Sequence, residues 1–136
     1  MNAAPVLFDL RDGIAWTTLN RPEAGNAVNL AMARALMEVA IRSQTDRSIR
    51  CVVLTGAGRI FCAGRDVVDF AGAGDQVDAL LSDMAGTLHM ALARFARMAK
   101  PLLDQLPAPA LAWRSAAMSC FARDRPTSPL RMGRSA

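Results

Sequence analysis

The residues whose types and spacing suit chemistry lie in one stretch, Gly56-Ala57-Gly58-Arg59-Ile60-Phe61-Cys62-Ala63-Gly64-Arg65-Asp66. It follows directly on an apolar, β-branched run, Cys51-Val52-Val53-Leu54-Thr55. Glycine permits positive φ and close approach of a ligand to the main chain. A glycine loop leaving a buried strand can therefore turn a backbone N–H outward as a fixed donor, which is what a developing oxyanion requires. Other chemistries fit less well. Gly56-Ala57-Gly58 lacks the third glycine of a dinucleotide fingerprint, because that position is Phe61. Cys62 as a nucleophile needs a base, and the single histidine, His89, falls on the edge of a helical stripe and reads as a surface or core-edge residue. Asp66 and Asp69, near the loop, are a candidate carboxylate pair.

The elements that must position this loop are legible around it. Val6–Leu10 and Ile14–Leu19 flank Arg11-Asp12-Gly13, and Asp-Gly supplies the positive φ of a hairpin turn. Asn20–Asn26 reads as a loop, in which Pro22 drives Arg21 out of the helical region and Gly25-Asn26 tolerate a tight turn. Asn29 is a good N-cap for a helix ending near Thr45-Asp46. Its apolar face carries Leu30, Ala33, Leu36, Met37, Ala40 and Ile41, and Glu38 and Arg42 sit four apart on the other face as a candidate ion pair. After Asp66 the sequence predicts irregular chain through Gly74. Asp75 is then expected to cap a long helix with the stripe Val77, Leu80, Leu81, Met84, Leu88, Ala91, Leu92, Phe95 and Met98. Pro101 stops that helix at Ala99 or Lys100, and Leu102-Leu103 start a strand.

The chain has 136 residues, of which 52% are hydrophobic, enough for one domain with a real core. Apolar stretches are broken by Arg or Asp long before 18 residues, and Met1–Pro5 shows no secretory pattern, so no membrane association is expected. Three cysteines, Cys51, Cys62 and Cys120, lack metal-ligand spacing and suit a reducing, cytoplasmic setting. The net charge of +4 divides unevenly: residues 1–103 hold 11 Lys/Arg against 10 Asp/Glu, and residues 104–136 hold 5 against 2. The excess lies in the last quarter without aromatic interleaving, which argues against nucleic-acid binding. That quarter is rich in Ala, Arg, Pro and Ser; Leu111–Phe121 could form one short helix, and the rest is expected to be poorly ordered.

Four motifs occur in order and at matching spacing: Leu19-Asn20-Arg21-Pro22-Glu23-Ala24-Gly25-Asn26-Ala27, Val52–Gly56, Phe61-Cys62-Ala63-Gly64-Arg65-Asp66 and Lys100-Pro101-Leu102. Together they resemble the enoyl-CoA hydratase/isomerase (crotonase) family over about residues 5–103. The resemblance implies an α/β fold of repeated ββα units, assembled in that family as trimers or hexamers and acting on acyl-CoA or enoyl-CoA thioesters with no permanently bound cofactor or metal. It also implies that the backbone N–H of Arg65 is the first oxyanion donor, and that the loops carrying Arg21, Ala24, Ala63 and Asp66 border CoA. Gly25 stands where the family commonly has leucine, a departure expected to loosen that loop.

The resemblance stops after Leu103. The family's second oxyanion donor comes from a glycine-rich stretch at this point, whereas here Asp104-Gln105-Leu106-Pro107-Ala108-Pro109 follows and the next glycine is Gly133. No Glu occurs after Glu38. The expectation is the N-terminal half of a crotonase-like domain, truncated, with a divergent or out-of-frame tail over residues 104–136. Loss of one oxyanion donor costs about 10²–10³ in rate, so impaired turnover is expected. The alternatives are an inactive CoA-binding or oligomerisation module and a nonfunctional gene product.

Overall fold

The computed structural model describes residues 3–105. Its strands are β1 (Val6–Arg11), β2 (Ile14–Leu19), β3 (Cys51–Gly56) and β4 (Leu102–Gln105); its helices are α1 (Leu30–Thr45), α2 (Val67–Ala71) and α3 (Val77–Arg97). The four strands form one sheet in the order β1-β2-β3-β4. β1 and β2 are an antiparallel hairpin turning on Asp12 and Gly13, both at positive φ (52° and 77°). The pairs β2/β3 and β3/β4 are parallel, with Ala15 opposite Val52 and Val52 opposite Leu102. Parallel neighbours need a long crossover; α1 supplies the first, and α2 with α3 the second.

Alternation along β2 buries Ala15, Thr17 and Leu19 and leaves Ile14, Trp16 and Thr18 half-buried. Ala15 and Leu19 join Val52 and Leu54 of β3 in the core, and α1 adds Met32, Ala33, Leu36, Val39 and Ala40. α3 closes the layer with Met84, Ala91 and Phe95. The alanines let α1 and α3 pack closely, and their margins are linked by Arg34–Asp83 (3.3 Å) and by Arg94 Nη1 donating to Gln44 Oε1 (2.9 Å). Asn29 does cap α1: its side chain accepts from the Met32 amide at 3.0 Å.

Several expectations change. Residues 67–71 are not irregular but form α2, because the Asp66 carboxylate accepts from the Asp69 amide (3.2 Å) and starts a helical turn. Asp75 does not cap α3; it lies in a 3-10 turn at 74–76, and Gln76, the residue before α3, makes no side-chain cap. α3 ends at Arg97, two or three residues earlier than the expected Ala99 or Lys100. Arg42 does not pair with Glu38: its guanidinium lies 4.3 Å from the centre of the Phe8 ring, where cation–π attraction holds it. The helix expected at Leu111–Phe121 lies outside the described residues.

The Lys-Pro motif acquires a structural meaning. Lys100 Nζ donates to Ser43 O (2.5 Å) and Asp46 O (2.6 Å), the carbonyls that end α1. Pro101 O accepts from the Val52 amide (3.0 Å) and starts β4 along β3.

Candidate active site

Three loops meet at the C-terminal ends of β2 and β3: residues 20–28, 57–60 and 61–66. The first leaves β2 at Asn20 and makes a 3-10 turn, Pro22–Ala24, before Gly25 (φ 59°) and Asn26 (φ 56°) reverse it. Asn26 is fully buried and holds the cluster. Its Oδ1 accepts from the Arg21 amide (2.8 Å), and its Nδ2 donates to Ala57 O (2.9 Å) and Ile60 O (2.7 Å). Gly25 is not loose: its N–H donates to Pro22 O and its carbonyl accepts from the Ala63 amide at 2.9 Å. Gly56 is a glycine by necessity, since a Cβ there would stand 2.6 Å from Phe61 O and 2.8 Å from Phe61 Cα.

The segment around Arg65 is held by one residue of the first loop. Val28 N–H donates to Gly64 O (2.7 Å), and Asp66 N–H donates to Val28 O (3.0 Å). The direction of the intervening amide follows from peptide geometry. The Gly64–Arg65 peptide is trans, so its C=O and N–H point oppositely. With Gly64 O aimed at Val28, the Arg65 N–H is aimed away from Val28, and it meets no acceptor among the described residues. Gly64 makes this possible with φ 104°, a conformation that side-chain-bearing residues rarely adopt, and a Cβ there would meet nothing within 4 Å.

The other sequence-predicted residues gather at the same place. Ala63 is exposed beside Gly64, and Ala24 is half-buried in the 3-10 turn, its amide donating to Arg21 O (3.0 Å). Arg21 folds its guanidinium inward: Nη1 donates to Ala27 O (2.7 Å), and Nη2 pairs with Asp66 Oδ2 (2.8 Å). Burial pushes the Asp66 carboxyl up, but hydrogen bonds from Arg21 and the Asp69 amide outweigh it and hold the carboxyl below its ordinary range. Asp69 itself is exposed. His89 is exposed on α3, as a surface histidine would be. Among the described residues no cluster of His, Cys, Asp or Glu could hold a metal ion. A separate groove of about 200 Å³, lined by Val6, Phe8, Ala35, Glu38, Val39 and Arg42, opens between β1 and α1 and shares no residue with the three loops.

A family model described as enoyl-CoA hydratase/isomerase matches residues 14–106, a span that includes all three loops. The chain belongs to the enoyl-CoA hydratase/isomerase family. It is 38% identical over 106 residues to the 1,2-epoxyphenylacetyl-CoA isomerase of Escherichia coli, a match covering 78% of this chain and 38% of that protein. Over 107 residues it is 38% identical to the enoyl-CoA hydratase EchA19 of Mycobacterium tuberculosis, covering 78% and 40%. A solved carnitinyl-CoA dehydratase from Mycobacterium thermoresistibile superposes with a TM-score of 0.69 at 33% identity, over 75% of this chain and 30% of that one. The fold is crotonase-like. The chain spans about two fifths of the length of the curated relatives it matches.

Sequence reasoning placed the loop residues but missed the work of Asn26, which it took for a turn residue. The signal was present: a polar side chain with donor and acceptor capacity, set in a left-handed turn between two loops, can satisfy main-chain groups on both.

Proposed function

We propose that this chain binds an acyl-CoA thioester with the thioester carbonyl facing the Arg65 N–H, in support of hydration or isomerisation of an enoyl-CoA. The observation that carries this reading is the outward amide of Arg65, fixed by the Val28–Gly64 bond behind it and left without an internal acceptor. Such a donor is pre-set before charge develops, so no reorganisation is needed when the carbonyl oxygen becomes an oxyanion. Only the backbone is used, which frees the side chain at position 65 to be arginine. Ala63, exposed two residues before Arg65, and Ala24, half-buried in the 3-10 turn, border the CoA moiety in this proposal.

A second reading, binding without turnover, is favoured by one observation. The carboxylate nearest the donor in sequence, Asp66, is committed to Arg21 and to the cap of α2 and is not available as a general acid or base. Calorimetric titration of the full chain with butyryl-CoA, beside a crotonyl-CoA hydration assay, separates the readings. Saturable binding with turnover of about 1–10³ s⁻¹ supports catalysis; saturable binding alone supports the second reading; no binding refutes both. A cytoplasmic site of action fits the same proposal: no helix among the described residues is long and apolar enough to cross a membrane. Homo-oligomerisation belongs to it as well, since Leu102 and Leu103 on β4 expose apolar surface, and light scattering of the purified chain tests it.

A further inference from the structure

We propose that Arg21 is a positioning residue that acts on the thioester through two peptide groups, rather than a contact to CoA. This rests on the reading of Arg65 N–H as an oxyanion donor and says what aims it. The guanidinium fork reaches both ends of one short hydrogen-bonded path. Nη1 donates to Ala27 O at 2.7 Å, and Ala27 C=O belongs to the same peptide group as Val28 N–H. Val28 N–H donates to Gly64 O at 2.7 Å, and Gly64 C=O belongs to the same peptide group as Arg65 N–H. The path therefore runs from Arg21 through the 27–28 peptide to the 64–65 peptide and ends on the Arg65 proton. Each link is a planar trans unit with its acceptor and donor at opposite ends, so a shift of the first plane turns the last.

The second arm of the fork closes the path. Nη2 pairs with Asp66 Oδ2 at 2.8 Å, and the Asp66 amide returns to Val28 O at 3.0 Å. Residue 65 is thus held from both sides by a single, largely buried cation. Charge has a further effect beyond geometry. A cation on Ala27 O polarises Val28 N–H, which in turn polarises Gly64 C=O and strengthens Arg65 N–H as a donor; cooperativity of this kind is worth on the order of 10–30% per bond. Lysine cannot replace the fork, because an ammonium is a point charge without the planar, two-pronged geometry that reaches both acceptors. The side chain that carries this path is about four-fifths buried, and its bonds to Ala27 O and Asp66 Oδ2 turn it toward protein acceptors.

The test uses the full chain with Arg21→Lys and Asp66→Asn, whose folding is checked by circular dichroism. Three readouts apply. In the free proteins, NMR measures the Arg65 amide shift and the scalar coupling across the Val28 N–H···O=C Gly64 bond. Titration with butyryl-CoA and with CoA gives affinities, and infrared spectroscopy of butyryl-CoA labelled with ¹³C at the thioester carbonyl reports polarisation of that bond. The expected result is a weaker Val28–Gly64 coupling, a displaced Arg65 amide resonance, and loss of most of the thioester band shift on binding, with affinities changed by less than about threefold. Where the wild-type chain turns over crotonyl-CoA, kcat falls about 10–100-fold with KM nearly constant, the pattern of a misaimed group.

The proposal is overturned if both variants weaken CoA and butyryl-CoA binding together while the Arg65 resonance and the coupling stay at wild-type values, since Arg21 would then be a CoA contact. It is also overturned if the coupling and resonance are unchanged in both variants with affinity intact. Should wild-type protein bind no CoA thioester, the functional reading fails, yet the coupling and amide shift of the free proteins still decide whether Arg21 aims the Arg65 amide. If Arg21→Lys does not fold, Asp66→Asn, which is nearly isosteric, carries the same comparison.

Discussion

Replacing Lys100 with methionine tests how the α3–β4 connection supports the whole arrangement. Lys100 Nζ is the partner of two carbonyls, Ser43 O at 2.5 Å and Asp46 O at 2.6 Å. Asp46 O retains the Ile49 amide (3.2 Å) when the lysine is removed, but Ser43 is fully buried in the last turn of α1, where carbonyls have run out of helical partners. Methionine keeps the stem and its packing and removes only the ammonium. A hydrogen bond to a charged group contributes about 1.5–3 kcal/mol, and a cation at a partly buried helix C-terminus contributes up to about 2 kcal/mol of overlapping stabilisation. Because the two descriptions count the same contact, the expected loss is about 2–3 kcal/mol rather than their sum. At about 4–8 °C per kcal/mol for a domain of this size, the thermal midpoint falls by about 10–20 °C. Urea unfolding followed by circular dichroism at 222 nm measures it, with Lys100→Arg as a charge-retaining control that recovers part of the loss. A change below about 0.5 kcal/mol in Lys100→Met would place the contact with ordinary exposed ion pairs and refute the reasoning.

Gly56→Ala should destabilise the chain by about 1–3 kcal/mol, because the new methyl meets backbone atoms of Phe61 at 2.6 and 2.8 Å, and backbone cannot swing away; urea midpoints measure this. Asn26→Ala strands the Ala57 and Ile60 carbonyls and the Arg21 amide, and is expected to cost at least about 2 kcal/mol together with faster amide exchange in both flanking loops. The Asp66 carboxyl is held below its ordinary value of 3.8, so its contribution is fully present above that value and is lost as pH falls through the lower folded value. Wild-type stability should therefore decline below about pH 4 more steeply than that of Asp66→Asn, as read from urea midpoints between pH 6 and pH 2; parallel curves would show that the carboxylate contributes nothing.

Local rules carried much of the fold. Asp12-Gly13 sets the β1/β2 hairpin, Asn29 and a 3.6-residue stripe set α1, and β-branched Val52 and Val53 mark β3. What stayed illegible depends on partners far along the chain. Arg42 is drawn to Phe8 on another element instead of Glu38 one turn away, and no i,i+4 rule foresees that choice. α2 escaped notice because Val67 and Val68 are both exposed, so its single turn shows no amphipathic period; its sole sequence signal was Asp66 as a cap. The candidate site divides the same way. That residues 21, 24, 63, 65 and 66 belong to one site was implied by the family resemblance of their motifs, whereas the inward turn of Arg21 was not, because its partners Ala27 O and Asp66 Oδ2 exist only once the loops have closed.

A main-chain donor places an unusual demand on a fold. A catalytic side chain can be aimed by its own rotamer, but an amide can be aimed only by fixing the planes on either side of it. Fixing planes in a loop requires polar side chains inside the protein, and these are costly to bury unless fully bonded. Among the described residues the buried polar side chains are Thr17, Asn26, Ser43 and Asp66, and two of the four lie in the loops around Arg65. Asn26 is bonded at both ends of its amide, and Asp66 is bonded to a guanidinium and to a cap. Thr17 and Ser43, which lie outside those loops, have hydroxyls with no partner among the described residues. Complete side-chain bonding is thus found in the loops that hold the peptide planes around Arg65, and the two unpartnered hydroxyls lie on β2 and α1, whose main chains are fixed by their own strand and helix hydrogen bonds. That distribution fits the proposed use of the Arg65 amide as an oxyanion donor.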